Sequence, residues 1–220
     1  FRDVNDMNLL QSLENRRTWK VLGNVDDAQK TASIGKDDLD TLIAAAGNAP
    51  FHYACDKGHQ KTLTSNVPWR VYKLDAAGCN KLLNFLVNQG DATKVPNMLA
   101  AAEYLLQVTW LPDINDNVEP GEECEFAGTR RNMEHIAAAS AFIQSLLLVA
   151  DNAGFKTYWS SGGALRNKET FEKLSISSDE MLLGSIFLFP ADPKDAEIKS
   201  GGMKDKRGNL DDWTVWCEIT

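Results

Sequence analysis

A short basic cluster near the start of the chain has the residue types that bind a phosphate group. Arg16, Arg17, Thr18 and Lys20 fall within five consecutive positions. Two guanidinium groups and a hydroxyl suit a phosphate dianion, because arginine presents forked donors that stay charged. An Arg-Arg pair is also common on a solvated helix face, so the cluster by itself leaves both interpretations open.

A second segment, far downstream, has the residue types that line a planar ligand. Trp159 is followed by Ser160, Ser161 and Gly162, and then by a second glycine. Small residues let backbone N–H groups approach a ring without side chains in between. Together, the basic cluster and this turn predict a phosphorylated cofactor that carries a ring system. Trp159 taken alone is more typical of a core or wall residue than of a functional one.

The composition is that of an ordinary globular domain with an acidic surface. The chain has 220 residues, of which 43% are hydrophobic and 25% charged, and its formal net charge is −8. This length predicts a single domain over residues 1–220. The negative charge argues against general nucleic-acid binding, because a phosphate backbone would be repelled by most of the surface.

Three features of the sequence predict a cytoplasmic protein. The four cysteines show no CxxC spacing, which is typical of a reducing compartment. The first residues lack the basic-then-apolar pattern of a signal peptide. Polar residues interrupt the longest apolar run, at 136–150, so we expect it not to cross a bilayer.

Hydrophobic periodicity predicts alternating helices and strands. Helices are predicted where apolar side chains recur at helical spacing, at 9–13, 37–46, 76–88, 97–102 and 130–153. Strands are predicted where bulky and branched residues dominate, at 68–74, 104–111, 155–159, 185–189 and 214–219. Residues 112–129, rich in acidic and turn-forming residues, are predicted to be a surface excursion. This order predicts an α+β fold rather than a regular βαβ array.

These pieces, in this order, resemble the FMN-dependent nitroreductase family, and its shorter branch most closely. The matching segments are the basic cluster at 16–20, Ala-Pro-Phe-His at 49–52, Pro-Trp-Arg at 68–70, the segment 154–163 and the cations at 204–207. The resemblance covers about residues 9–218. It implies a nitroreductase-like α+β fold, in which helices flank a central mixed, mostly antiparallel sheet, and an intertwined homodimer.

The resemblance also implies a role for each candidate site residue. Those expected to contact the FMN phosphate are Arg16, Thr18, Lys206 and Arg207. Arg17 or Lys20 would face N1 and O2 of the flavin, where a cation stabilises negative charge. A backbone N–H of Ser161 or Gly162 would reach the N5 edge, next to Trp159 and Ser160. His52 and the Asn66 region would come from the partner subunit.

The implied activity is hydride transfer through the flavin. NADH or NADPH would donate the hydride and a nitroaromatic or quinone would accept it in a ping-pong sequence, with no side chain required as nucleophile or base. An alternative from another class is a flavin-binding carrier or sensor without turnover.

The sequence departs from the family pattern in the segment before the second predicted strand. Residues 65–69 read Ser-Asn-Val-Pro-Trp where the family often has Asn-x-Gln-Pro-Trp, and the preceding loop is longer than usual. In that loop His52, Cys55 and His59 have a spacing that zinc would tolerate, but no fourth ligand stands nearby. An acidic solvated loop is the favoured interpretation of residues 122–125 over a divalent-cation site.

Overall fold

An antiparallel four-stranded sheet forms the centre of the protein. The computed structural model describes residues 9–60, 64–113 and 126–219. The strands of this part of the chain are β1 (Trp19–Leu22), β2 (Trp69–Asp75), β3 (Tyr104–Trp110), β4 (Lys156–Ser160), β5 (Met181–Phe189) and β6 (Glu197–Ser200). The central sheet has the order β2-β3-β5-β4, and β1 pairs with β6 in a separate antiparallel ribbon. The two central strands are buried along almost their whole length, as strands covered on both faces must be.

Helices cover both faces of the central sheet. Those of the described residues are α1 (Leu9–Asn15), α2 (Lys36–Ala46), α3 (Ala76–Asn88), α4 (Val95–Ala101), α5 (Arg130–Asn152) and α6 (Lys168–Leu174). On one face, α2 and α5 bury their apolar residues with Leu106 and Ile186. On the other, α3 and α4 pack with Leu105 and Phe187. Side chains on alternate positions of each strand therefore belong to two different cores.

Two helices begin at caps that are evident in the sequence. The carboxylate of Asp75 accepts a hydrogen bond from the N–H of Gly78 at the start of α3, and Thr129 accepts one from Asn132 at the start of α5. By length and composition alone, helix α5 could cross a membrane, since the mean hydropathy of its apolar stretch is 1.5. Its face bearing Phe142 and Leu146 is instead packed in the core against the sheet.

The β1–β6 ribbon joins the central sheet through a single parallel bridge. Thr18 pairs with Thr157 of β4, and β1 runs in the same direction as β4 from that point. The sheet is therefore mixed but mostly antiparallel, as the resemblance implies. Next to the bridge, the N–H of Gly201 donates to the carbonyl of Thr18 at 2.8 Å, which ties the end of β6 to the basic cluster.

Most predicted elements are confirmed, but the predicted strand at 214–219 is wrong. Leu210–Asp212 form a short 3-10 helix, and residues 214–219 have no regular structure. Trp216 is 96% exposed and Ile219 fully exposed, and the described residues offer this segment no strand to pair with. The structure adds β1, β6 and α6, which the periodicity analysis leaves unassigned. Most of the predicted excursion at 112–129 lies outside the described residues.

Candidate functional site

The parallel bridge brings the basic cluster and the glycine-containing turn, residues 160–163, to the same edge of the sheet. Because β1 and β4 run in the same direction, Lys20 lies at the level of Trp159, two residues beyond the bridge. Its ammonium lies 5.2 Å from the centre of the Tyr158 ring. At about 3.3 Å per residue, Ser161 lies about 13 Å along β4 from Thr18. Two segments separated by more than a hundred residues thus form the two ends of one elongated surface.

Four cations gather at one end of this surface, where α1 ends. We call Arg16, Arg17, Lys204 and Arg207 the cation cluster. Lys204 donates to the backbone carbonyl of Arg16 at 3.2 Å, and Arg17 lies 3.5 Å from the Asp205 carboxylate. Lys204 also donates to the carbonyl of Glu14. The 3-10 helix Gly202–Lys206 therefore places Lys204 against the backbone between the end of α1 and the start of β1.

Burial and neighbouring positive charge lower the pKa values of Arg16 and Lys204 in the cluster. The pKa of Arg16 is lowered, mainly by burial. The nearby charge of Asp151 opposes this shift, and that of Arg207 adds to it. The pKa of Lys204 is lowered by burial and then by repulsion from Arg17, Arg16 and Arg207. Asp151 is half-buried, and its pKa is raised by burial although Arg16 and Lys204 oppose the shift. In the described part of the chain, Asp151 acts on Arg16 and Lys204, and Asp205 lies beside Arg17 and acts on Lys204. The four cations exceed these two carboxylates in number, which suits the site to a phosphate dianion.

At the other end of the surface, the turn requires glycine for two reasons. Gly162 has φ +111° and Gly163 has φ +57°, conformations that residues with a Cβ rarely adopt. A Cβ on Gly162 would also come within 2.7 Å of a methyl carbon of Leu182. The N–H of Gly162 donates to the Ser160 hydroxyl at 3.2 Å. Of the two N–H groups that the resemblance places at the flavin, the one on Gly162 is thus engaged within the turn.

Trp159 is anchored on the backbone of β5. Its indole N–H lies 3.4 Å from the carbonyl of Leu183, and a Cβ on Gly184 would approach the same indole nitrogen within 2.0 Å. Gly184 therefore leaves the space in which the ring lies. Trp159 stays partly exposed beside the turn, so one contact holds its ring in place while part of the side chain faces solvent.

His52 and Asn66 lie near the opposite edge of the sheet. Asn66 accepts a hydrogen bond from the Gln60 side chain at 2.8 Å, three residues before β2 begins. Since β2 and β4 are the two edge strands, three strand spacings, about 14 Å, separate them. His52 lies in a groove of about 500 Å³ on α5, next to Phe51 and Glu134. Within one chain, the structure does not bring these two residues to the turn.

The C-terminal cations divide differently from the predicted set. Lys204, which that set leaves out, contacts the backbone at Arg16, whereas Lys206 lies exposed in the same 3-10 helix. Arg207 follows that helix and acts electrostatically on Arg16 and Lys204. Charge alone could not distinguish these residues, because all of them stand within four positions of one another. The pairing of β1 with β6 brings Lys204, rather than Lys206, to the backbone of Arg16.

Cys55 and His59, two of the three residues that zinc could bind in the loop before β2, make hydrogen bonds to backbone carbonyls. The Cys55 thiol lies 3.5 Å from the carbonyl of Ser65, and His59 donates from Nε2 to the carbonyl of Pro112 at 2.8 Å. No group of three or more histidine, cysteine or acidic residues in the described ranges has the arrangement of a metal site. These contacts serve to hold the loop in place.

Solved structures with the same fold come from several bacteria. A nitroreductase-like family protein from Bacillus cereus matches with a TM-score of 0.57 and 17% identity, over 94% of this chain and 97% of that one. Nitroreductase CinD from Lactococcus lactis, in complex with nicotinic acid, has a TM-score of 0.60 and 13% identity over 92% and 99% of the two chains. A nitroreductase with bound FMN from Desulfitobacterium hafniense has a TM-score of 0.52 and 14% identity, over 95% and 97%.

These matches confirm the nitroreductase-like fold that the motifs imply. Comparisons with protein-family models and with curated protein sequences give no match. At identities of 13–17%, it is the path of the backbone that is shared.

Proposed function

We propose that this protein binds FMN along the edge formed by β1 and β4 and acts as a flavin-dependent oxidoreductase. NADH or NADPH is the proposed hydride donor, and a nitroaromatic or a quinone is the proposed acceptor, in a ping-pong sequence. The proposed compartment is the cytoplasm, in which free thiols such as the buried Cys55 and Cys79 stay reduced. The fold shared with a nitroreductase that has bound FMN supports the choice of cofactor.

The single observation that carries the proposal is the cation cluster with its excess of positive charge. In the described residues, Lys204 is repelled by the other three cations and Arg16 by Arg207, while the carboxylates of Asp151 and Asp205 act in the opposite direction. Such an arrangement costs free energy unless an anion joins it. A phosphate would accept charge-assisted hydrogen bonds from Arg16 and Arg207, and from the Thr18 hydroxyl at the start of β1. Lys206 stands close enough in sequence to add to the local charge.

The end of the surface at the turn, residues 160–163, suits a planar group with hydrogen-bonding edges. Bound FMN supplies the acceptance and donation of hydride, which no side chain performs. Lys20 brings a positive charge to the level of Trp159 and suits the N1 and O2 side, with Arg17 nearer the tail. Since the N–H of Gly162 is bound to Ser160, we assign the contact with N5 to the N–H of Ser161.

Exposed apolar side chains support the proposal of a homodimer. Leu9, Leu10 and Leu13 of α1 lie exposed, as do Trp213, Val215 and Trp216 in the C-terminal segment. Exposed large apolar residues that recur along a segment often mark an interface. A second copy of this chain would cover them and would bring His52 and Asn66 to the other subunit's flavin. The test is the mass in solution, because a monomer with full activity would contradict a shared site.

The test of flavin binding uses absorption and cofactor release. We expect the purified protein to be yellow, or to become yellow with added FMN, and to release FMN on denaturation. Arg16→Gln removes one charged donor, worth about 1.5–3 kcal/mol, so the FMN dissociation constant should rise about 10- to 150-fold. Lys30→Gln is the matched control, because Lys30 is exposed and lies 3.6 Å from a surface carboxylate, that of Asp27. Equal affinities of the two variants would contradict the phosphate role of Arg16.

Turnover is tested separately from binding. Anaerobic NADH or NADPH should bleach the flavin absorption, and a nitroaromatic or quinone should restore it. A yellow protein that neither nicotinamide bleaches would instead be a flavin carrier or sensor. Colourless protein that takes up no FMN would overturn the proposed function altogether.

A further inference from the structure

The backbone of β5 carries an irregularity beside the turn. Val108 of β3 pairs with Gly184, but the next residue, Thr109, pairs with Leu182, so Leu183 is an extra residue in β5. On its other side, β5 pairs with β4 only as far as Ser160, which lies opposite Ser185. Beyond that pair the chain leaves the sheet, and the β5 carbonyls there need other donors.

Arg166 supplies donors at this point and joins β5 to the turn. Its Nη1 donates to the carbonyl of Leu182 at 2.6 Å. Its Nε and Nη2 both donate to the carbonyl of Ser161, at 3.0 Å and 2.5 Å. The planar guanidinium can satisfy two carbonyls at once because its donors form a fixed fork. Lysine has no comparable geometry.

The peptide between Ser161 and Gly162 is consequently held at both ends. Arg166 binds its carbonyl oxygen, and the Ser160 hydroxyl accepts a hydrogen bond from its N–H. The peptide unit that carries the Ser161 N–H adjoins this one through the Cα of Ser161, so holding the one restricts the directions open to the other. Arg166 also brings a permanent positive charge to within one peptide group of that N–H.

We propose that Arg166 is a positioning residue for the flavin: it fixes the Ser161 N–H toward N5, and its charge raises the flavin's midpoint potential. This inference rests on the proposed function. A positive charge at the ring favours the negative charge that a flavin gains on reduction. Loss of Arg166 should therefore weaken FMN binding and lower the midpoint potential. If Arg166 had a purely structural role, its loss would change only the melting temperature.

The experiment compares three variants of the full chain. Arg166→Met keeps the aliphatic stem but removes both fork and charge, and Arg166→Lys keeps the charge without the fork. Lys168→Gln is the matched control, since Lys168 is two residues away and its exposed side chain lies 3.9 Å from Glu172. We expect the FMN dissociation constant to rise at least tenfold in Arg166→Met, with a lower midpoint potential. Lys168→Gln should stay within twofold of the unmodified protein in affinity, with an unchanged potential.

Arg166→Lys separates charge from geometry, and it serves if Arg166→Met does not fold. Its midpoint potential should stay near that of the unmodified protein while its FMN affinity falls. Without FMN, the amide of Gly162 should exchange hydrogen faster in both Arg166 variants. This tests, independently of the flavin, whether the hydrogen bonds of Arg166 hold the peptide between Ser161 and Gly162. If the unmodified protein binds FMN and both Arg166 variants match Lys168→Gln in affinity and potential, this inference is overturned and the proposed function stands. If the unmodified protein binds no FMN, both the proposed function and this inference are overturned.

Discussion

Replacing Gly162 by alanine tests the geometry of the turn most directly. Alanine at φ +111° adopts a backbone conformation that costs about 1–3 kcal/mol. Its Cβ would also lie 2.7 Å from a methyl carbon of the buried Leu182, and forcing such a contact costs about 1–3 kcal/mol more. The two effects together predict a loss of about 2–6 kcal/mol. For a domain of this size, the middle of that range lowers the melting temperature by about 8–16 °C.

Gly90→Ala is the control that separates the two effects. Gly90 has φ +81°, but no atom lies within 4 Å of the Cβ that alanine would add. It should therefore show only the backbone cost. Urea unfolding of both variants measures the difference, which we expect to be about 1–3 kcal/mol and which is assigned to the contact with Leu182.

A double-mutant cycle with Leu182→Ala identifies the partner in that contact. If Leu182 is the neighbour that the new Cβ strikes, Gly162→Ala should cost less in the Leu182→Ala background, with a coupling energy of about 1–3 kcal/mol. Equal losses in Gly162→Ala and Gly90→Ala, together with no coupling, would refute the steric reasoning.

Two further predictions concern an ion pair and a close contact. The Lys36 ammonium lies 2.7 Å from the Asp75 carboxylate, and this hydrogen bond is the main cause that lowers the pKa of Asp75. The stability that results is fully present above the pKa of an unfolded aspartate, near 4. It is lost as the pH falls through the lower pKa of the folded state. Asp75→Asn keeps an oxygen for the cap of α3, so its urea midpoint should fall less between pH 5 and pH 2, and an unchanged profile would exclude this contribution. Gly184→Ala should displace the Trp159 ring, which its Cβ would meet at 2.0 Å. A shifted tryptophan emission maximum and a lower melting temperature would show this, and unchanged values of both would contradict it.

The secondary structure was predictable wherever local pattern and burial coincide. Helix α5 follows from an apolar stripe with a threonine cap, and α3 from an apolar stripe after Asp75. Strand β3 follows from a run of aromatic and branched residues that is buried at every position. These elements would be apolar surfaces in any arrangement, so the sequence determines that they must be covered.

The errors fall where pairing partners are distant in the chain. Residues 214–219 have the composition of a strand but remain without one, whereas the four-residue β1 and β6, whose residues are all exposed, form a ribbon. A strand exists only when another backbone accepts and donates its hydrogen bonds. Local propensity cannot report whether such a partner will be present.

The residue types of the candidate site were present in the sequence, but their grouping was not. Arginines, a lysine and a glycine-containing turn predict an anionic, ring-bearing ligand from their chemistry alone. Only the tertiary structure selects Lys204 as the neighbour of Arg16, and only the end of the β4 pairing at Ser160 leaves the Leu182 carbonyl of β5 to Arg166. The physical reason is one of range: the chemistry of a side chain belongs to its residue, whereas its neighbours depend on strand register, which long-range backbone pairing sets.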